Sequence, residues 1–290
     1  MTYRRIGILG SGRAAKALGL ALAPHSHEPL SVWGRSAERA DAAVAAIGKA
    51  RRAETMAAIG AGCDLVLLAV SDDAIARVAH DLACGIESDG PAFVAHVSGR
   101  SGAEILAPLR TIGARTAAIH PAMTFTGDPA REAARMRDAW FAITGSSAEA
   151  TEQAHGIVRL VGGRATEIAE AHRPLYHAAL CHASNHLVTL LTDAFAMLDA
   201  AQVDESRALV APLVRAALEN SLANGFEALS GPLLRGDIDT VRAHLAGLHD
   251  FCPDRAPAYR AMAQATLDGL DRSGRHPPPA LSALVRDGER

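Results

Sequence analysis

Over residues 1–168, short apolar runs alternate with segments whose apolar residues recur at helical spacing. The runs at 5–9, 30–33, 64–70, 92–97, 117–119, 140–144 and 165–168 predict strands. The segments 13–23, 36–47 and 148–161 predict helices between them. The stretch Leu65-Val66-Leu67-Leu68-Ala69-Val70 does not alternate, as a strand buried on both faces requires. Strands alternating with helices imply a parallel sheet covered on both sides, an α/β Rossmann-type domain. From residue 169 the pattern changes. Helical spacing continues over 172–201, 205–224, 238–248 and 256–270, with no strand pattern, which predicts an all-helical domain over 169–290. The run His276-Pro277-Pro278-Pro279 predicts a tail outside the core.

Composition narrows the function. Hydrophobic residues make up 49% and charged residues 21%, the balance of a globular domain. A net charge of -3 supplies no basic field for a phosphate polymer, which argues against a nucleic-acid partner. No apolar run approaches the roughly 20 residues that span a bilayer, so no membrane partner is expected. The four cysteines, Cys63, Cys84, Cys181 and Cys252, form no close pair, which predicts reduced thiols and no metal site. The first residues run directly into a strand without the features of a secretion signal, and cytoplasmic location is the expectation.

The chemistry begins at Gly10-Ser11-Gly12-Arg13-Ala14-Ala15, which follows one predicted strand and opens one predicted helix. Gly10 permits a tight turn, Gly12 lets backbone approach a pyrophosphate, and Ala15 allows close packing of helix on sheet. Gly10, Ser11, Gly12, Arg13 and Ala14 are therefore the expected dinucleotide cradle. The second strand ends Val32-Trp33-Gly34-Arg35-Ser36. An acid at this place would hold a ribose 2′-hydroxyl; Arg35 and Ser36 instead suit a 2′-phosphate, so NADP(H) is the expected cofactor. The alternative is that Arg35 is solvated and Ser36 caps the next helix.

Ligands of open parallel sheets bind beyond the carboxyl ends of the strands. Val70 and Ser71 are expected along the cofactor, and Ser98 and His120 near its nicotinamide. His96, inside a strand, reads as a hydrogen-bonded core histidine. Asp72 or Asp73 reads as a helix cap.

Gly10-Ser11-Gly12, Ala69-Val70-Ser71-Asp72, His96-Val97-Ser98-Gly99, His120-Pro121, Tyr176-His177-Ala178-Ala179, Ala183-Ser184-Asn185 and Ser230-Gly231-Pro232-Leu233-Leu234-Arg235-Gly236-Asp237 together carry a resemblance. The chain resembles Rossmann-like oxidoreductases whose helical half is a domain of unknown function. They belong to the wider group with a 6-phosphogluconate-dehydrogenase-like C-terminal domain, which includes ketopantoate reductase, pyrroline-5-carboxylate reductase and deazaflavin-dependent NADP oxidoreductases. The resemblance implies NADP binding and a homodimer formed through the helical half.

In related reductases the long helix carries a lysine four residues before an asparagine. The asparagine matches Asn185, but the lysine position holds Cys181, which supplies no ammonium acid. His177, one turn earlier on the same face, could supply a proton instead. Hydride reaching a carbonyl or imine carbon leaves charge on the heteroatom, and His177, Asn185, Ser184 and His120 are the candidate donors. Arg235 could clamp a substrate carboxylate, and Asp237 could cap the helix after it. The expectation is an NADPH-dependent reductase of a small keto acid, imine or similar carboxylate, with ketopantoate as the first substrate to test. The alternatives are a non-catalytic NADP-binding sensor and a deazaflavin-dependent NADP oxidoreductase.

Overall fold

The structure, a computed structural model, describes residues 2–86 and 90–286. Its contacts divide the chain into Met1–Ala183 and Ser184–Arg290.

In the first unit, β1 (Ile6–Leu9), α1 (Arg13–Leu22), β2 (Leu30–Trp33), α2 (Ala37–Ile47), β3 (Ala50–Arg52), α3 (Met56–Gly62), β4 (Leu65–Leu68), α4 (Ile75–Cys84) and β5 (Phe93–His96) follow one another. Then come α5 (Ala107–Arg110), β6 (Arg115–Pro121), α6 (Pro129–Arg135), β7 (Trp140–Gly145), α7 (Ala148–Leu160) and β8 (Arg164–Glu167). The strands form one sheet in the order β3-β2-β1-β4-β5-β6-β7-β8. Strand order reverses between β1 and β4, where the chain leaves β1 for α1 on one face of the sheet and β4 for α4 on the other, which opens a crevice beyond the strand ends.

Alternate strand residues feed two separate cores. Ile6, Ile8, Leu65, Leu67, Phe93 and Ala95 face one side with Ala15, Leu18 and Leu22 of α1. Leu9, Val66, Leu68 and Val94 face the other with Ile59 of α3 and Ile75, Val78 and Leu82 of α4. That is why the run at 65–70 shows no alternation: both of its faces are covered.

The sheet is not wholly parallel. β7 pairs antiparallel to β6, with Ile119 opposite Ile143. The connection from β6 stays on the sheet's carboxyl side, where Ala122 N–H donates to the Trp140 carbonyl, so the chain re-enters running the other way. β8 then lies parallel to β7.

α8 (Arg173–Ala200) belongs to both units, and the division falls inside it rather than at the change of pattern near residue 169. Its first turns pack with the first unit because Arg173 is wholly buried beneath the strand ends. The second unit continues with α9 (Ser206–Asn224), α10 (Pro232–Arg235), α11 (Ile238–Phe251), α12 (Ala256–Arg272) and α13 (Pro279–Arg286), without a strand among its described residues. Val241 and Leu245 of α11, Ala263, Leu267 and Leu270 of α12, and Leu281 and Val285 of α13 make its core. The expectation of a tail outside the core is therefore corrected. Pro279 opens a helix, where its missing N–H costs nothing, and Leu281 and Val285 at i, i+4 spacing turn inward.

Candidate active site

At the crevice, Gly10 adopts φ +132°, a backbone region that favours glycine, and a Cβ there would strike the Ala69 carbonyl. The β1 turn and the end of β4 are thus locked together. Gly12 precedes α1, and nothing in the protein lies within 4 Å of where its Cβ would stand. Its lack of a side chain serves no internal packing; it leaves the backbone open to a ligand. No side chain caps the first turn of α1 and no acid stands in it, so its amides face the crevice unneutralised. Ala15 is wholly buried, as the motif requires.

A groove of about 800 Å3 runs from this turn, lined by Gly10, Ser11, Gly12, Arg35, Ser36, Val70 and Ser71, among others. Arg13, Ala14 and Ser98 do not line it. Arg13 instead donates to the Phe125 carbonyl at 3.4 Å, tying α1 to the loop after β6. A Cβ at Gly34, at the end of β2, would come 2.8 Å from the Ser11 hydroxyl, so a carboxylate there would have to turn the Ser11 side chain aside. Ser36 caps α2, its hydroxyl oxygen accepting from Arg39 N–H at 3.3 Å, which leaves its own proton free to donate to a ligand. Two further cations, Arg39 and Arg77, line the groove and escaped the motif reading. The four-residue step from Arg35 to Arg39 was the available signal. Ser71 heads the turn before α4 in place of Asp72 or Asp73, and Asp73 is held below its usual carboxylate range, first by a hydrogen bond from Ser71 and last by the charge of Arg35.

A second polar cluster lies at the ends of β5 and β6 and the start of α8. His96 is wholly buried. It accepts from Ser98 N–H on Nδ1 at 3.1 Å, so its Nε2–H donates to the Gly102 carbonyl at 2.8 Å. Burial pushes this imidazole down to about 4, and the neutral ring is a corner post, as expected. Ser98 is buried too. Its carbonyl accepts from Arg173 at 3.4 Å, while Arg173 also donates to Thr144 Oγ1 at 2.8 Å, the Ala142 carbonyl at 3.1 Å and the Ala118 carbonyl at 3.3 Å. All four acceptors are uncharged. Burial lowers this guanidinium to about 10.

His120 and His177 come together as the sequence suggested, ring centres 5.9 Å apart at 88°. Both crowd Gly99, where a Cβ would stand 2.5 Å from His177 Cδ2 and 2.9 Å from His120 Nε2. Burial first, then Arg173, His177 and His96, push His120 down to about 4. Tyr176 and Arg173 were missed. The Tyr176 hydroxyl lies 2.9 Å from His120 Nδ1, and burial lifts its pKa above the usual phenol value, disfavouring the phenolate, against the opposite pull of Arg173. Tyr176 and His177 diverge around the helix, yet the His120 ring is wide enough to meet both edge-on. His177 Nε2 also lies 3.7 Å from Cys181 Sγ.

The remaining candidates stand in the second unit. Ser184 donates to Asn185 Oδ1 at 3.1 Å. Arg235 ends α10, exposed, and Asp237 caps α11 through Thr240 N–H at 3.1 Å and the Thr240 hydroxyl at 2.7 Å. Among the described residues no cluster could hold a metal ion and no helix is long and apolar enough to cross a membrane.

Residues 2–121 match the model of the Rossmann-like domain, and residues 139–266 match that of a domain of unknown function, DUF2520. The chain thus joins the two domain types that the motifs implied. No curated protein sequence matches it. Solved structures share its fold. One is a Bacteroides fragilis protein named as an NADP oxidoreductase, 19% identical, covering 91% of this chain and 97% of that one, at TM-score 0.75. Another is the imine reductase of Myxococcus stipitatus in complex with NADP+, 15% identical, covering 96% and 98%, at TM-score 0.69. A third is the reductive aminase of Aspergillus terreus with NADPH and ethyl-5-oxohexanoate, 19% identical, covering the whole of both chains, at TM-score 0.65.

Proposed function

We propose that this protein is an NADPH-dependent oxidoreductase that reduces a small keto acid, imine or similar carboxylate. The observation that carries the reading is the groove at the strand-order reversal: an open Gly12, uncapped amides on α1, and Arg35, Arg39 and Arg77 along its wall. These residues fit a dinucleotide. The α1 amides take the diphosphate, and the arginines take a 2′-phosphate that a carboxylate at the end of β2 would repel. The names of the fold's neighbours, NADP-bound reductases among them, support the same reading.

Bound there, the cofactor supplies a hydride. The chain's own task is to bind the acceptor and hold a proton for the atom that gains charge. His120 at the end of β6 and His177 on α8, whose rings meet edge-on, are the side chains we assign to the acceptor's surroundings. Asn185, Ser184 and Arg235, the last for a substrate carboxylate, enter by resemblance of their motifs. Large apolar side chains exposed on α8 and α9, among them Val188, Leu213 and Leu222, favour a homodimer through the helical unit. The free thiols suit the reducing cytoplasm.

Calorimetry with NADPH and NADH, followed by turnover against 2-ketopantoate and a panel of keto acids and cyclic imines, tests the proposal. We expect tighter NADPH binding that weakens about tenfold in Arg35→Ala, as loss of a charged hydrogen bond predicts. NADPH oxidation with at least one probe should fall at least tenfold in His177→Ala. Preference for NADH sinks the reading of Arg35. Tight binding without any turnover identifies a sensor, which Cys181 in place of an ammonium would favour.

A further inference from the structure

We propose that Tyr176, oriented by His120 and set beside the buried charge of Arg173, delivers the proton in this reduction. The inference rests on the reductase reading above. It assigns the acid to a residue that neither the motif nor the lysine position indicates.

The argument starts from Arg173. A wholly buried guanidinium is costly unless its charge is compensated, and here its four hydrogen bonds end on three carbonyls and one hydroxyl. Pinning α8 to the sheet could be done by neutral donors. What a cation adds is a field. The carboxylate of Glu170 feels it, and the nearby neutral group able to become an anion in it is Tyr176. The Arg173 guanidinium carbon lies 6.0 Å from its ring centre. Tyr176 itself is half-buried, not enclosed.

His120 is placed to orient and not to acidify. Arg173, His177 and His96 surround it and, with burial, keep the imidazole neutral above a pH of about 4. A neutral imidazole is a poor acid but a good rigid partner. The 2.9 Å contact between Nδ1 and the Tyr176 oxygen can run either way, and its direction decides the chemistry. If Nδ1–H donates, the phenol oxygen accepts and its own proton is free to point at substrate. If Nδ1 is bare, the phenol proton is committed to His120. The proposal requires the first arrangement.

The step then balances. The two electrons of the C–H bond of a dihydronicotinamide, the reductant, form a new C–H bond at the substrate carbonyl carbon. The C=O π pair moves to oxygen. That oxygen takes the proton as the Tyr176 O–H bond breaks, and its electron pair stays on the phenolate, held by His120 Nδ1–H and the field of Arg173. Water restores the proton afterwards.

Nitrogen-15 histidine NMR tests the arrangement without any turnover. The wild-type protein should show His120, identified by the signals lost in His120→Gln, as the Nδ1–H tautomer between pH 5.5 and 8. Tyr176→Phe should shift that signal. A bare Nδ1 in the wild type overturns the proposal. Kinetics supply the second arm. Tyr176→Phe should lower kcat on a carbonyl probe at least a hundredfold while NADPH affinity stays within threefold. Reduction of an N-methyl-pyrrolinium ion, a permanent cation that needs no proton, should also stay within threefold. Equal losses on both probes mark a structural role, and no loss on either removes Tyr176 from the chemistry; both refute the assignment. A wild-type protein inert to both probes refutes the reductase reading itself, before any variant is made, and the assignment with it.

Discussion

The two units bury their apolar residues in opposite ways. In the first, a sheet covered on both faces leaves only Trp140 and Leu175 exposed among the large hydrophobics of the described residues. In the second, one small core gathers α11, α12 and α13, while α8 and α9 display Leu187, Val188, Leu190, Leu209, Leu213, Leu218 and Leu222. α9 buries only Ser206 and Val210 along nineteen residues. A helix that is apolar all round is ordinarily covered. The first unit covers nearly all of its own large apolar side chains. The second leaves two helices with apolar side chains exposed, the surface through which the proposed homodimer would form.

The contrast can be broken by perturbing each unit and reading each separately. Both tryptophans, Trp33 and Trp140, sit in the first unit and report on it by fluorescence, while far-UV circular dichroism weighs the long helices. The largest effect is expected from Leu281→Ala, which empties a wholly buried site in the small helical core and should cost about 2–5 kcal/mol of stability in urea unfolding. The dichroism transition should move ahead of the fluorescence transition; if both shift together, the two cores are not separate. Acid comes next. His96 is neutral in the fold with its pKa lowered to about 4, whereas the unfolded chain takes up its proton near the ordinary 6.5. Its stabilisation is therefore whole above pH 6.5 and is lost as pH falls towards 4, to the extent of about 3 kcal/mol at about 1.4 kcal/mol per pH unit. Tryptophan fluorescence should detect this loss, and His96→Asn should flatten it. A fluorescence midpoint indifferent to pH across that window contradicts the corner-post role. The smallest effect is Asp237→Ala, which removes the cap of α11 and should cost about 1 kcal/mol on the dichroism probe alone.

Much of this was legible in the chain, and the misses have physical causes. The buried strands and the long helices announced themselves by period and by glycine. β3 did not, because it is a short edge strand bearing Arg51 and Arg52, exposed where a core strand would be apolar. α13 hid behind three prolines that normally end structure, although Leu281 and Val285 carried the helical step. At the site, the glycine turn gave itself away because one local backbone geometry does the work. Arg173 could not be read from sequence. A lone arginine before a proline has no signature, and its meaning comes from carbonyls on β6, β7 and the loop after β5, far off in the chain. Tyr176 is equally silent in the sequence, since a step of about 100° per residue turns it away from His177 around the helix. Only the position of a third ring, from β6, shows that both turn towards the same neighbour.

α8 carries an evolutionary consequence. At about 1.5 Å per residue its twenty-eight residues make a rod of about 42 Å, with one end anchored in the first unit and the other counted in the second. Because the helix runs unbroken across the division, a change in the number of residues within it would turn every later residue about 100° per residue out of phase with the turns before it. Descendants of this gene should therefore vary this stretch by substitution rather than by insertion or deletion.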